Sequence, residues 1–149
     1  MARDWDHYLC ALGDDRASIY LDLAQAKVAP VMTCRHSTMV SVAMLRAQEN
    51  GMSSDDEFDD LVALEDELEA RTQAIGAIYV GRLTTRGRRI FYFYSPDPAD
   101  VEAAVTVIGR HSPYILEVAG RPDPEWSTYF DFLYPREADY QRMMNRRLN

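Results

Sequence analysis

The stretch AIYVGRLTTRGRRIFYFY, residues 77–94, decides the fold of this chain. Two runs rich in β-branched and aromatic residues, 77–84 and 88–94, flank a turn at Arg86 and Gly87. This pattern is typical of a β-hairpin, because branched and aromatic side chains favour the pleated strand and glycine favours the turn.

The residues before the hairpin predict a strand and a helix. Apolar residues alternate over 39–45, as in a half-buried strand. Ser54 is followed three residues later by Glu57, the pattern of a capping box that begins a helix. The apolar stripe of this helix consists of Phe58, Leu61, Leu64 and Leu68, with Val62 alongside.

The residues after the hairpin predict a second helix and another strand. Asp97 and Pro98 have the pattern of an N-cap and a first helical residue, and residues 114–119 alternate as a strand does. The order over 39–119 is therefore β-α-β-β-α-β. It predicts an α+β fold with a ferredoxin-like core, in which two helices lie on one face of a four-stranded antiparallel sheet.

The flanking segments complete a single predicted domain over 1–149. Residues 1–38 are interpreted as an N-terminal β-hairpin and a connection, and residues 120–149 as a C-terminal helical extension. Within that extension, 126–134 has apolar residues at helical spacing but is aromatic enough to be extended, so both alternatives stay open.

Composition limits the classes of protein to which the chain can belong. It has 149 residues, 47% of them hydrophobic, and a net charge of −8, as expected of a globular domain. No apolar run reaches membrane-spanning length, and Arg3, Asp4 and Asp6 stand where a secretory signal would begin its apolar segment, so we expect a cytoplasmic protein without membrane contact. Two cysteines, Cys10 and Cys34, are expected to be free thiols.

Pairing across a two-residue turn at Arg86 and Gly87 sorts the hairpin side chains onto two faces. The face that suits packing under helices carries Ile78, Val80, Phe91 and Phe93, with Arg82 near its edge. The other carries Tyr79, Leu83, Ile90, Tyr92 and Tyr94. Its tyrosines, Tyr79, Tyr92 and Tyr94, are candidate partner- or ligand-binding residues, since their rings can stack on a ligand or pack on a partner. Coverage of this face by the N-terminal hairpin or by a second copy of the chain is left open.

Arginines around the hairpin turn suggest a second kind of site. Arg82, Arg88 and Arg89 are candidate ligands for a small anion, because guanidinium groups suit carboxylates and phosphates. The alternative is a solvated hairpin tip that contacts the acidic first helix of a neighbour. The net charge of −8 and the absence of the RNA-recognition signature argue against nucleic-acid binding.

Motifs of known catalytic or cofactor sites are missing from the sequence. The three histidines, His7, His36 and His111, have no metal-binding spacing, and no glycine-rich phosphate loop occurs. We therefore expect no metal, no cofactor and no catalytic residue, although an enzyme with acid and base from distant segments stays a third possibility. The large aromatic residues Trp5, Trp126 and Tyr129 are interpreted as structural.

Several motifs resemble those of the bacterial family called domain of unknown function 695. They are Val80-Gly81-Arg82-Leu83-Thr84-Thr85-Arg86-Gly87 followed by Phe91-Tyr92-Phe93-Tyr94, Trp5-x-x-Tyr8, and Asp123-Pro124-Glu125-Trp126-x-x-Tyr129-x-x-Phe132-Leu133-Tyr134-Pro135. The resemblance spans nearly the whole chain and implies no activity, since that family is uncharacterised. Some members also carry a domain similar to the protein regulator of ribonuclease E, which has a ferredoxin-like order. Because this chain ends at Asn149, shortly after the shared motif, we expect that domain to be absent here, which counts against a regulator function.

The hypothesis that the sequence favours is a non-enzymatic domain that binds another protein, or itself as a homodimer, through the tyrosine-bearing sheet face. It depends on the face assigned to Tyr79, Tyr92 and Tyr94. The alternative is a small-anion sensor that uses the arginines of the hairpin.

Overall fold

The computed structural model describes residues 2–149. Its six strands are β1 Trp5–Leu12, β2 Asp15–Asp22, β3 His36–Ala43, β4 Ile78–Thr85, β5 Arg88–Ser95 and β6 Leu116–Pro122. Its α-helices are α1 Phe58–Gln73, α2 Pro98–Gly109 and α3 Glu137–Leu148. Short 3-10 turns lie at Leu23–Lys27 and Asp55–Glu57, and a π-helix lies at Thr128–Leu133.

All six strands form one antiparallel sheet in the order β1-β2-β4-β5-β3-β6. The prediction of a mixed α+β fold is confirmed. The N-terminal hairpin extends the sheet instead of covering one of its faces, since Ala17 of β2 pairs with Thr85 of β4 and Leu21 pairs with Gly81.

The central hairpin β4–β5 contains a β-bulge. Leu83 pairs with Ile90 and Gly81 with Tyr92, as the two-residue turn predicts, but the next pair is Tyr79 with Phe93. Because Val80 is an extra residue in the strand pairing, Tyr79 points to the opposite face of the sheet from Tyr92. The prediction that the two tyrosines share a face is therefore wrong. Glycine is needed at position 81, because a Cβ there would lie 2.9 Å from the backbone oxygen of Tyr20.

Helices α1 and α2 cover one face of the sheet. The core under them contains Val40 and Val42 of β3, Tyr79 of β4, and Phe91 and Phe93 of β5. The helices contribute Leu61, Leu64, Leu68, Val101, Val105 and Ile108 to it.

The two predicted helix N-caps differ in whether the side-chain hydrogen bond of the cap forms. Asp97 caps α2 as predicted, because its side chain accepts a hydrogen bond from the Ala99 amide at 2.9 Å. The capping box at Ser54 is not formed. The Glu57 carboxylate instead accepts hydrogen bonds from the amides of Leu45 and Arg46, both at 2.7 Å, so a tertiary contact replaces the local one.

The C-terminal segment covers the other face. Trp126, Tyr129, Leu133 and Met143 pack there in one core with residues of β1, β2, β4 and β5. The segment that could have been helix or strand contains the π-helix Thr128–Leu133.

The two covering layers are offset along the sheet. The core under α1 and α2 reaches β6 through the half-buried Leu116 and Val118, whereas the core under the C-terminal segment contains no residue of β3 or β6. On that side, β3 and β6 are therefore left open beside the π-helix. Among residues 2–149, no helix has both the length and the apolar character to cross a membrane.

Candidate functional site

A groove of about 550 Å³ lies where the C-terminal cover stops. Its floor comes from the sheet and its wall from the segment that contains the π-helix. The sheet contributes Ser37, Met39, Tyr92, Ala119, Gly120 and Arg121, and the wall contributes Ser127, Thr128, Asp131 and Phe132. Its volume is within the range of pockets that bind small molecules or anchoring side chains.

Tyr92 is a buried residue of the groove floor. Its side chain is 3% exposed and its ring lies 6.1 Å from that of Phe132. Burial raises the pKa of Tyr92 to about 12, so the phenol is neutral at physiological pH and can donate a hydrogen bond. Within residues 2–149, nothing accepts that hydrogen bond.

The wall of the groove is held in place by Asp123. Its carboxylate accepts hydrogen bonds from the Tyr94 hydroxyl at 2.7 Å, the Ser127 amide at 2.9 Å and the Thr128 amide at 3.0 Å. Burial alone would raise the pKa of Asp123, but these hydrogen bonds outweigh it and hold the pKa below its usual value.

Trp126 fixes the same wall to the sheet. Its ring stacks on Tyr94 with 3.9 Å between centroids, and its indole N–H donates to the Cys34 carbonyl at 2.9 Å. Its φ is +59°, a backbone conformation that costs free energy for a bulky residue and persists only where the surroundings enforce it. The groove therefore has a rigid wall.

The rim of the groove carries Arg121 and Asp131. The Arg121 guanidinium donates to the Thr128 hydroxyl at 2.7 Å, which joins β6 to the π-helix. Among residues 2–149, neither Arg121 nor Asp131 has an ion-pair partner. No group of three or more potential metal ligands occurs in the same range.

Comparison with known protein families identifies the family of this chain. The family of unknown function DUF695 matches residues 3–134, which include both the sheet and the π-helix. The chain belongs to this family. No curated protein and no solved structure was found to match it.

The three candidate tyrosines of this DUF695 chain occupy three different environments. Only Tyr92 lines the groove. Tyr94 is fully buried under Trp126. Tyr79 lies on the opposite face, where its hydroxyl donates to the Glu65 carboxylate at 2.5 Å.

The candidate arginines do not converge on one site. Arg82 pairs with Glu65 on the helix side of the sheet, so it contacts the acidic helix α1 of its own chain. Arg89 is buried on the same side, where it donates to the hydroxyls of Thr84 and Ser53, and burial lowers its pKa to about 10. Arg88 lies on the opposite side and donates to the Ser41 hydroxyl at 2.9 Å. These contacts give the small-anion hypothesis little support.

The structural aromatic residues lie where two layers meet the sheet. Trp126 and Tyr129 are fully buried under the C-terminal segment. Trp5 is half-buried on the helix side and stacks on Tyr20 with 4.9 Å between ring centroids.

Sequence reasoning missed most of the groove. Arg121 lies beyond the predicted end of the last strand, since β6 continues to Pro122. Thr128, Asp131 and Phe132 reach the groove only because the C-terminal segment folds back over the sheet. The available signal was the aromatic segment 126–134, whose side chains need a surface to pack against.

Proposed function

We propose that this DUF695 chain is a non-catalytic protein-interaction domain whose groove receives an apolar anchor side chain from a partner protein. The observation that carries the proposal is the groove itself, which combines the Tyr92 phenol at its floor with the exposed side chains of Met39 and Phe132. A neutral phenol that faces the groove can donate a hydrogen bond to a bound acceptor. A backbone carbonyl beside the anchor side chain is such an acceptor.

Exposed apolar side chains support a protein partner. Met39 and Phe132 are each 39% exposed at the groove, and contact with a partner would remove both from water. Protein interfaces commonly place an aromatic or long aliphatic anchor in a pocket of this kind.

Charge favours a basic residue next to the anchor. Asp131 stands at the rim without an ion-pair partner in residues 2–149, and the chain carries a net charge of −8. A lysine or arginine beside the anchor side chain would pair with Asp131, and the overall charge would accelerate its approach.

The chemistry of the groove favours binding over catalysis. Its titratable side chains are Tyr92, Arg121 and Asp131. A phenol with a pKa of about 12 is a poor proton acceptor at neutral pH, whereas it is an effective hydrogen-bond donor. An enzyme with distant acid and base residues therefore has less support than a binding domain.

The test is affinity capture from the native host, followed by titration of the purified partner. Ala119→Arg fills the groove from an exposed floor position and should abolish binding. Tyr92→Phe removes only the hydroxyl and should weaken binding by about 3- to 10-fold, the value of one hydrogen bond. Tyr20→Phe, on the opposite face, is the matched control and should bind like the wild type. A partner whose affinity is unchanged by Ala119→Arg would contradict the proposal.

The proposal extends to the core topology, the domain organisation and the cellular location of the chain. We propose that β3-α1-β4-β5-α2-β6 is a ferredoxin-like core, which the strand order β4-β5-β3-β6 and the position of both helices on one face support. We propose that residues 1–149 form one domain, supported by the two cores that share one sheet. We propose a cytoplasmic location, supported by the free cysteines Cys10 and Cys34.

A further inference from the structure

We infer that two copies of this chain associate through β6, pairing antiparallel about a two-fold axis at Ala119. This inference concerns the edge of the sheet and does not depend on what binds in the groove. Its evidence comes from the backbone of β6 and from the positions of two charged side chains on that strand.

Strand β6 is an edge strand with unpaired backbone groups. Within residues 2–149, it pairs with β3 on one side and with no strand on the other. The Asp123 amide continues the ladder by donating to the Arg35 carbonyl at 2.8 Å. Because hydrogen-bonded pairs alternate along an antiparallel ladder, the backbone groups of Leu116, Val118 and Gly120 point away from β3.

These outward groups complement those of a second copy. In a register centred on Ala119, Val118 of one copy lies opposite Gly120 of the other, and each such pair exchanges both backbone hydrogen bonds. At each end, the Leu116 amide donates to the Pro122 carbonyl of the other copy. Pro122 has no N–H, so it ends the pairing at that point.

Two exposed charges select this register. Glu117 and Arg121 lie on the groove side of β6, and the register centred on Ala119 places each Glu117 opposite Arg121 of the other copy. These are non-hydrogen-bonded pairs, in which the side chains come closest. The Glu117 carboxylate is 70% exposed, and its partner within residues 2–149 is Arg88 at 3.5 Å.

Neighbouring registers lose this complementarity. A register centred on Val118 places Glu117 opposite Ala119, which leaves both charges unpaired. A register centred on Gly120 places Glu117 opposite Asp123, whose carboxylate is buried, and Arg121 opposite Ala119, so no opposite charges pair. Opposite charges across a strand pair stabilise it, and only the register centred on Ala119 pairs them among these three, so the sequence of β6 favours that alignment.

The proposed dimer brings the two grooves together. Ala119 and Arg121 line the groove, so the strand of the second copy would extend its floor, and Glu117 of that copy would pair with Arg121 at its rim. The two sheets would form one continuous sheet with both grooves on the same face.

The test is the solution mass of the whole chain by light scattering and sedimentation equilibrium, with charge-swap variants. The wild type should have twice the monomer mass of 17.1 kDa at high micromolar concentration. Glu117→Arg and Arg121→Glu should each raise the dimer dissociation constant by about tenfold or more, because attractive pairs become repulsive. The double variant Glu117→Arg with Arg121→Glu restores opposite charges and should restore the dimer.

The control is Glu49→Arg, an exposed charge reversal away from β6 that should leave the dimer intact. Circular dichroism should show that all variants keep the wild-type fold. A wild type that stays monomeric at high micromolar concentration overturns the inference. So does a dimer whose dissociation constant the single variants leave unchanged, or a double variant that does not recover the dimer.

Discussion

The groove beside β6 and the surface beside β1 are two regions where a covering layer stops short of the edge of the sheet. The surface beside β1 is here called the aromatic shelf, a depression of about 350 Å³ that includes Trp5, Tyr20, Phe58, Tyr79 and Arg82. Both regions combine exposed apolar side chains with a buried tyrosine. They differ in whether the polar groups of the tyrosine and its neighbours are satisfied.

On the aromatic shelf, the polar groups satisfy one another. Tyr79 donates to Glu65, Arg82 pairs with Glu65, and the Arg82 guanidinium lies 4.4 Å from the centre of the Tyr20 ring. In the groove, the Tyr92 hydroxyl has no acceptor within residues 2–149. An exposed apolar surface alone does not distinguish a binding site, whereas an apolar groove with a hydrogen-bond donor free for a ligand does.

The largest expected effect is a difference in stability between alanine variants of the two tryptophans. Trp126→Ala should lower the free energy of unfolding by about 3–5 kcal/mol, because the ring is fully buried and its stack on Tyr94 is lost. Trp5→Ala on the shelf should cost only about 1–2 kcal/mol, since that ring is half-buried. Urea unfolding followed by circular dichroism measures both. Equal losses would contradict the assignment of Trp126 as the anchor of the groove wall.

The second effect concerns the carboxylate that holds that wall. Asp123→Asn should lower the free energy of unfolding at neutral pH by about 2 kcal/mol, because hydrogen bonds to a charged acceptor are lost. The folded-state pKa of Asp123 is below its ordinary value of 3.8, so its contribution is present above that value and is lost as the pH falls through the folded-state pKa.

Acid titration of stability checks this directly. The wild type should lose stability below about pH 4 more steeply than Asp123→Asn does. Asp131→Asn is the matched control on the same segment and should change stability by less than about 0.5 kcal/mol, because that side chain is exposed. Parallel acid profiles for the wild type and Asp123→Asn would show that Asp123 does not hold the wall.

Local sequence signals predicted much of the sheet. The N-terminal hairpin β1–β2 forms as predicted, and the hairpin β4–β5 forms across Arg86 and Gly87. The N-cap at Asp97 forms as predicted, because its partner, the Ala99 amide, is only two residues away. Where the interacting groups are neighbours in the chain, residue type and spacing were sufficient.

Contacts between distant residues account for the errors. The face of Tyr79 depends on a bulge next to Gly81, where β2 approaches too closely for a side chain. The Glu57 carboxylate accepts hydrogen bonds from the amides of Leu45 and Arg46 instead of forming the predicted capping box. A local sequence pattern contains no information on these distant partners. The groove could not be predicted for the same reason, because it needs the fold-back of the C-terminal segment over the sheet.

The most direct test of the difference between groove and shelf is the stability of two matched variants, Tyr92→Phe and Tyr79→Phe. Each removes one hydroxyl and leaves the ring. Tyr79→Phe should lower the free energy of unfolding by about 1.5 kcal/mol, because it loses a hydrogen bond to a carboxylate. Tyr92→Phe should leave it unchanged or slightly higher. If Tyr92→Phe destabilises the chain as much as Tyr79→Phe does, the Tyr92 hydroxyl is already satisfied and the groove has no donor to offer a partner.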